Sequence, residues 1–374
     1  MQENMSILDM IQEKCPNGVE YKKLKDVTIL NGLKQLSAKD VQNLNMHSGS
    51  IKLLPSSRDY DWFCNYSEKL DEYIHNGKVI TLGRARHANT KYWEGKFISS
   101  QNNLIRSVDE NVLYTKYLYY LIICHEKDFY IETGTYPLFN KKAFEALLIP
   151  LPPIEIQQEI ANILDRFEEL EKELEKELKM RIDQYEYYRN MLLSFDDSVE
   201  KKKLGDTSIF NFHYGQGNTI PKDKGIFPVY GCNGIVAHTT KYNCENTCVI
   251  GHIGSAGVVN WIEGKAFVTY NGTICEIVDD KKVNQKSLYY FLTSIDLKQY
   301  VKGNQPFLSV SDFSHVKIPL PSIEKQEAIV EILDQFDELC TSLTNGIPAE
   351  IAMRKEQYEY YRNLLLNFKN INEQ

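Results

Sequence analysis

The 374-residue sequence has no run of about 18 consecutive apolar residues, so no segment reads as a membrane span. Its opening, MQENMSILDMIQEKC, puts acidic residues where a secretory signal needs a basic and then an apolar stretch. The eight cysteines are scattered, and a chain of this length needs no disulfide staples; reduced thiols in a cytoplasm are the expectation. No Gly-rich turn is completed by Lys-Ser/Thr, and the richest, GHIGSAG at 251–257, reads as a tight turn between strands. His238, Cys244, Cys248 and His252 follow a His-x5-Cys-x3-Cys-x3-His spacing that fits no common zinc module, so no metal is expected. Carboxylates abound, yet none forms a nucleophile–base arrangement, and no catalytic residue is assigned.

A net charge of −8 argues at first against a polyanionic partner. Its distribution reverses the argument. Residues 154–197 hold 13 acidic and 6 basic side chains, and residues 323–374 hold 10 and 5. The rest of the chain, with 28 acidic and 32 basic, is mildly basic and compatible with a surface facing nucleic acid.

The sequence contains itself twice. IPLPPIEIQQEIANILDRFEEL (149–170) aligns with IPLPSIEKQEAIVEILDQFDEL (318–339), with 14 of 22 positions identical. QYEYYRNMLLSF (184–195) aligns with QYEYYRNLLLNF (357–368), with 10 of 12 identical. VEYKKLKD (19–26) echoes VEKKKLGD (199–206), and WEGK (93–96) echoes IEGK (262–265).

The repeated segments read as long helices. Apolar residues including Ile160, Leu164, Phe167, Leu170, Leu174, Tyr185 and Tyr188 recur at three- and four-residue steps, with Glu and Lys between them. Ile329, Leu333, Phe336, Leu339, Tyr358 and Tyr361 repeat the seam. These thirteen positions are the expected helix-pairing or subunit-docking residues, and an antiparallel pair would bring the end of the chain back to the first half. The second helix meets Asn345-Gly346-Ile347-Pro348, a stop followed by a restart, which accounts for four extra residues in that copy. The stretches 79–100 and 247–280 carry β-branched and aromatic runs punctuated by Gly and Asn, which are strand-and-turn signals. LYTKYLYYLIICHEKD (113–128) and KSLYYFLTSIDLKQYVKG (286–303) read as one helix per half. The expected fold class is α+β, with two globular domains in tandem pseudo-repeat joined by two long antiparallel coiled-coil helices.

This order of parts resembles the DNA-specificity subunit of type I restriction-modification enzymes. Two variable regions, each followed by IPLPxIExQ, a helical seam and QYEYYRN-LL, carry the resemblance, together with KLLPSS ending at Ser57, IGSAG and NQPFLS. It implies an N-terminal arm at 1–18, target-recognition domains at 19–153 and 199–322, a central spacer helix at 154–198, and a C-terminal spacer helix at 323–374 that pairs with it. The resemblance further implies a non-catalytic reader of double-stranded DNA, each domain contacting one half of a bipartite, asymmetric site while the helices set the spacing. Two modification subunits would carry S-adenosylmethionine and methylate adenine, and restriction subunits would bring ATP, Mg and cleavage. No cofactor is expected on this chain, which lacks an Asp/Asn-Pro-Pro-aromatic motif. The sequence also leaves open a duplicated protein-binding scaffold and, more remotely, a self-contained restriction or modification enzyme.

Donor-rich loops supply the DNA-contact candidates. In the first half they are Ser56, Ser57, Arg58, Arg84, Arg86, His87, Asn89, Lys91 and Tyr92. The second half offers Tyr214, Gln216, Asn218, Lys222, Asn233, His252, Ser255, Asn271, Asn304, Gln305 and Ser309. Arg and Asn can read guanine and adenine edges bidentately, while Lys and Ser more often hold phosphate.

Overall fold

The computed structural model describes residues 6–85, 89–132, 134, 136–217, 219–221, 223–231, 234–342 and 345–372. The chain divides into two units, Met1–Glu173 with Ala352–Gln374, and Leu174–Ile351. Each contains a six-stranded sheet. In the first unit, strands β1 (Thr28–Leu30), β2 (Ile51–Leu54), β3 (Phe63–Cys64), β4 (His75–Gly83), β5 (Lys91–Ser99) and β6 (Asn102–Ser107) lie in the order β1-β6-β4-β5-β2-β3. The second has β7 (Phe210–Tyr214), β8 (Phe227–Gly231), β9 (Gly234–Thr239), β10 (Cys244–Gly251), β11 (Val259–Val268) and β12 (Gly272–Ile277) in the order β7-β12-β10-β11-β8-β9. The duplication is thus one of topology, strand for strand. It includes a parallel pairing of β2 with β5, and of β8 with β11, among antiparallel neighbours.

Alternation along the central strands explains why both faces of each sheet are dry. Ile80 and Leu82 of β4, with Ile105 of β6, pack with Leu118 and Leu121 of helix α1 (Thr115–Cys124). Val79 points the other way and joins Leu54, Phe97 and Leu104 in a separate cluster. In the second unit, Cys248 and Ile250 face Leu288 and Phe291, while Val249 meets Ile262 and Ile274.

Helix α2 (Ile154–Leu192) starts directly after Pro152 and Pro153, which lack the N–H a preceding turn would need. Its 39 residues extend about 58 Å. Further helices are α3 (Gln285–Ser294), α4 (Ile323–Thr341) and α5 (Ile347–Leu366), the break between the last two falling at the expected Asn-Gly-Ile-Pro. A Cβ on Gly346 would lie 2.5 Å from the Glu338 carbonyl oxygen, so only glycine allows that turn.

In the first unit, Phe167 of α2 stacks on Tyr361 of α5, ring centroids 5.6 Å apart and planes at 26°. Lys355 bonds Glu171 at 3.1 Å, so residue numbers rise along one helix as they fall along the other. In the second unit, Tyr188 of α2 stacks on Phe336 of α4 with the same 5.6 Å and 26°. Tyr358 and Tyr185 tilt onto those phenylalanines, and Arg362 and Arg189 lie over the two tyrosines. The two junctions match although the second copy carries four more residues, and the helix break falls between Thr341 and Ile347.

The glutamine of each IPLPxIExQ motif has a structural task. Gln157 is fully buried; its amide donates to the carbonyls of Val112 (2.9 Å) and Pro152 (2.8 Å) and accepts from the Tyr114 N–H (2.9 Å). Gln326 does the same with Lys282, Pro321 and Asn284. Each staples the first turn of a long helix to the loop before the domain helix.

Residues 368–371 close the first unit against the strand Glu20–Lys23 and the residue before it. The Val19 N–H donates to the Lys369 carbonyl (2.9 Å), Ile371 N–H to the Val19 carbonyl (3.1 Å), and the Tyr21 hydroxyl to the Phe368 carbonyl (2.7 Å). Gly18 makes this approach possible. Its φ is +97°, and a Cβ there would sit 2.2 Å from the Lys369 oxygen. Gly18→Ala is expected to cost about 2 kcal/mol and to expose residues 368–371 to carboxypeptidase, read by mass spectrometry after limited digestion.

Both units also share a polar junction between domain helix and long helix. Asp165 accepts from the Tyr120 hydroxyl and from Lys116 (2.8 Å); Asp334 accepts from Tyr290 and Lys286 (3.4 Å). One turn on, burial raises the carboxyls of Glu168 and Asp337 above their ordinary range, against the pull of Lys116 and Lys286 respectively. A raised carboxyl favours the protonated folded state, so its stabilising share is present below the ordinary value and lost as pH rises through the folded one. Glu168→Gln should therefore raise the melting temperature at pH 8 and leave it nearly unchanged at pH 4, measured by calorimetry.

Candidate nucleic-acid interface

In the first unit the candidate residues gather around the loop that leaves β2. Three successive carbonyls of that loop are taken by side chains from the start of β5 and the residue pair before it. The Lys91 ammonium donates to Pro55 (2.7 Å) and Ser57 (2.6 Å), and the Asn89 amide to Ser56 (2.7 Å). The Ser57 hydroxyl bonds Asp59 (2.6 Å), and the Tyr60 hydroxyl donates to the Tyr92 carbonyl (3.0 Å). Arg58 at the tip stays exposed. Arg84 follows β4, also exposed, with Nε donating to the Asn102 carbonyl (3.2 Å). A groove of about 710 Å³ runs here, lined by Arg58, Tyr60, Asn89, Lys91, Lys127 and Tyr130 among others.

This corrects the expectation for Lys91. It is 6% exposed and committed to two carbonyls, and burial lowers its amine to about 8. It builds the loop rather than meeting phosphate. Tyr92 is half-buried: its ring covers Lys116, and its hydroxyl bonds Glu94 (3.1 Å). Lys52, in the middle of β2, is also buried, though nothing in the short strand IKLL marks a lysine for burial.

In the second unit, Tyr214, His252, Asn271 and the 304–309 segment come together. His252 is fully buried, its ring 4.2 Å from Tyr214, 4.6 Å from Phe307 and 5.5 Å from Tyr270. Its Nδ1–H donates to the Leu308 carbonyl (2.6 Å) and its backbone N–H to Asn271 (2.7 Å), so it ties two loops together and does not present an edge to DNA. Ser309 caps a short helix, its N–H and hydroxyl both bonded to Asp312. Ser255 is half-buried in the turn after β10, where Gly254 donates to the Pro306 carbonyl (3.0 Å). Gln216, Asn304 and Gln305 are the exposed members of the set, and Ser56 in the first unit is half-buried. Arg86, His87, Asn218, Lys222 and Asn233 lie outside the described residues.

The two units thus have matching scaffolds and different side chains: exposed arginines on one, amides beside an aromatic cluster on the other. A family profile described as the type I restriction modification DNA specificity domain matches residues 16–184 and again 197–353. The chain belongs to the family of type I restriction-modification specificity subunits.

Among this family, the chain is 35% identical over 385 residues to the Type I restriction enzyme EcoprrI specificity subunit of Escherichia coli, covering 89% of this chain and 91% of that one. It is 32% identical over 307 residues to the EcoR124I/EcoR124II specificity subunit of the same organism, with 72% and 75% covered. The crystal structure of the S subunit from M. genitalium shares the fold at a TM-score of 0.66 and 18% identity, over 93% and 96% of the two chains. As a specificity subunit, the chain belongs to the recognition part of such systems rather than to their catalysis.

The seam residues of this specificity subunit divide into three groups. Ile160 and Leu164 are buried with Leu118, Tyr120 and Leu365, and Ile329 and Leu333 with Leu288 and Tyr290, so these four fasten helix to domain. Phe167, Tyr185, Tyr188, Phe336, Tyr358 and Tyr361 are the residues that meet helix to helix. Leu170 and Leu339 are exposed and Leu174 is half-buried.

Proposed function

We propose that this specificity subunit reads a split, non-palindromic DNA site, with one globular domain on each half and the helices setting the gap. The observation that carries the reading is the pairing of a strand-for-strand identical scaffold with loops of different chemistry. A single palindromic reader would gain nothing from that divergence. Exposed Arg58 and Arg84 suit guanine edges and phosphates, and exposed Gln216, Asn304 and Gln305 suit adenine edges.

The chemistry belongs to partner chains in this reading. Two modification subunits bring S-adenosylmethionine and methylate adenine, and restriction subunits bring ATP and Mg; all act on DNA in the cytoplasm. Matched exposed side chains on the long helices support docking of two copies of one partner. Met180, Tyr187 and Met191 recur as Met353, Tyr360 and Leu364, one apolar stripe in each unit, with the tyrosines 65% and 63% exposed. Among the described residues no helix is long and apolar enough to cross a membrane.

The test is selection from a randomised duplex library by the purified chain. Two short sequences separated by a constant gap should be enriched. Enrichment of one contiguous palindrome, or of nothing, would reject the proposal.

A further inference from the structure

Lys52 lies in the middle of β2, 1% exposed, inside a cage of aromatic rings. Its Nζ is 3.9 Å from the centre of the Tyr60 ring, 4.3 Å from Phe63 and 5.2 Å from Trp93. Burying an ammonium is costly unless it is compensated, and ring faces compensate in part. The twin sheet shows that the fold itself does not require it. In the β8–β11 ladder Val229 pairs with Phe267 as Leu53 pairs with Ile98 in the β2–β5 ladder, so the residue that stands where Lys52 does is the uncharged, half-buried Pro228.

The cage has a direction. Tyr60 belongs to the loop that leaves β2, and its hydroxyl is fixed to the Tyr92 carbonyl. The other end of the same loop is held by Lys91 and Asn89 through the carbonyls of Pro55, Ser56 and Ser57. Two buried cations thus grip one loop at its two ends, and the loop's own Asp59 and Asp61 act favourably on Lys91 and Lys52. Between the grips stands exposed Arg58. In the second sheet Asn260 takes the place of Lys91, opposite Val249 as Lys91 is opposite Thr81, so the device is confined to the first domain.

We infer that Lys52 and Lys91 are positioning residues that set base preference at one half-site without touching DNA, by fixing the loop that presents Arg58. The inference rests on the DNA-reading proposal above. An arginine fork reads guanine only when its backbone is held, so a loosened loop keeps charge attraction and loses discrimination.

The experiment is the same library selection with the full chain, its Lys52→Met and its Lys91→Met variants, together with their melting temperatures. Lys52→Met fills the cage with an apolar chain of similar length at a site where the twin domain has an uncharged proline, so the fold should persist. The half-site altered by Arg58→Ala should lose about tenfold or more of its base preference in both lysine variants. The other half-site should be unchanged, and hydrogen exchange at residues 56–61 should accelerate. If Lys52→Met folds and selects the wild-type motif at both halves, the inference is overturned while the DNA-reading proposal stands. Equal losses at both halves with a fall in melting temperature would also overturn it, as a purely structural role. If the wild-type chain selects no split motif, the DNA-reading proposal itself fails, and the inference with it.

Discussion

Gln157→Leu is expected to lower the melting temperature by roughly 10 °C, although the residue lies on no recognition loop. Leucine matches the glutamine in bulk but satisfies none of its three backbone partners. The Val112 and Pro152 carbonyls and the Tyr114 N–H would lose the partner that the fully buried glutamine supplies. Unsatisfied buried groups of this kind cost about 1–3 kcal/mol each. Allowing for relaxation, a total of about 3 kcal/mol corresponds to the stated shift in a unit of this size. Gln326→Leu should match it, since its three partners are equivalent. Calorimetry decides the point, and a shift under about 2 °C in both variants would show that the staples are dispensable.

The second large effect concerns binding. Arg58→Ala with Arg84→Ala should weaken binding at one half-site by about tenfold to a hundredfold, the range of a lost bidentate base contact. The base preference of the other half should be untouched, because its candidate residues stand on a separate sheet with its own core. Selection from libraries randomised one half at a time measures both. Loss of preference in both halves would contradict modular reading.

Much of this architecture is legible in the sequence because helices and repeats are local patterns. The three- and four-residue steps of Ile160, Leu164 and Phe167, and their copies at Ile329, Leu333 and Phe336, mark the long helices directly. QYEYYRN is twice a helix-pairing segment, with Tyr188 and Tyr361 each stacked on a phenylalanine. The strand order is not legible, since β1-β6-β4-β5-β2-β3 depends on pairings between residues far apart in the chain. The site is least legible where polar groups are buried. Lys91 and His252 look like surface donors in the sequence, and only the carbonyls of Pro55, Ser57 and Leu308 reveal what they hold. Gln157 stood inside a recognised motif, but its partners at Val112 and Tyr114 lie more than forty residues away.

The most direct test of the bipartite reading is methylation-sensitive sequencing of genomic DNA from the source cell, with and without this gene. The account predicts adenine methylation at one split motif, two short specific sequences separated by a gap of constant length. That methylation should disappear when the gene is removed and return when it is restored. Persistence of the motif without the gene, or its replacement by a contiguous palindrome, would contradict the account.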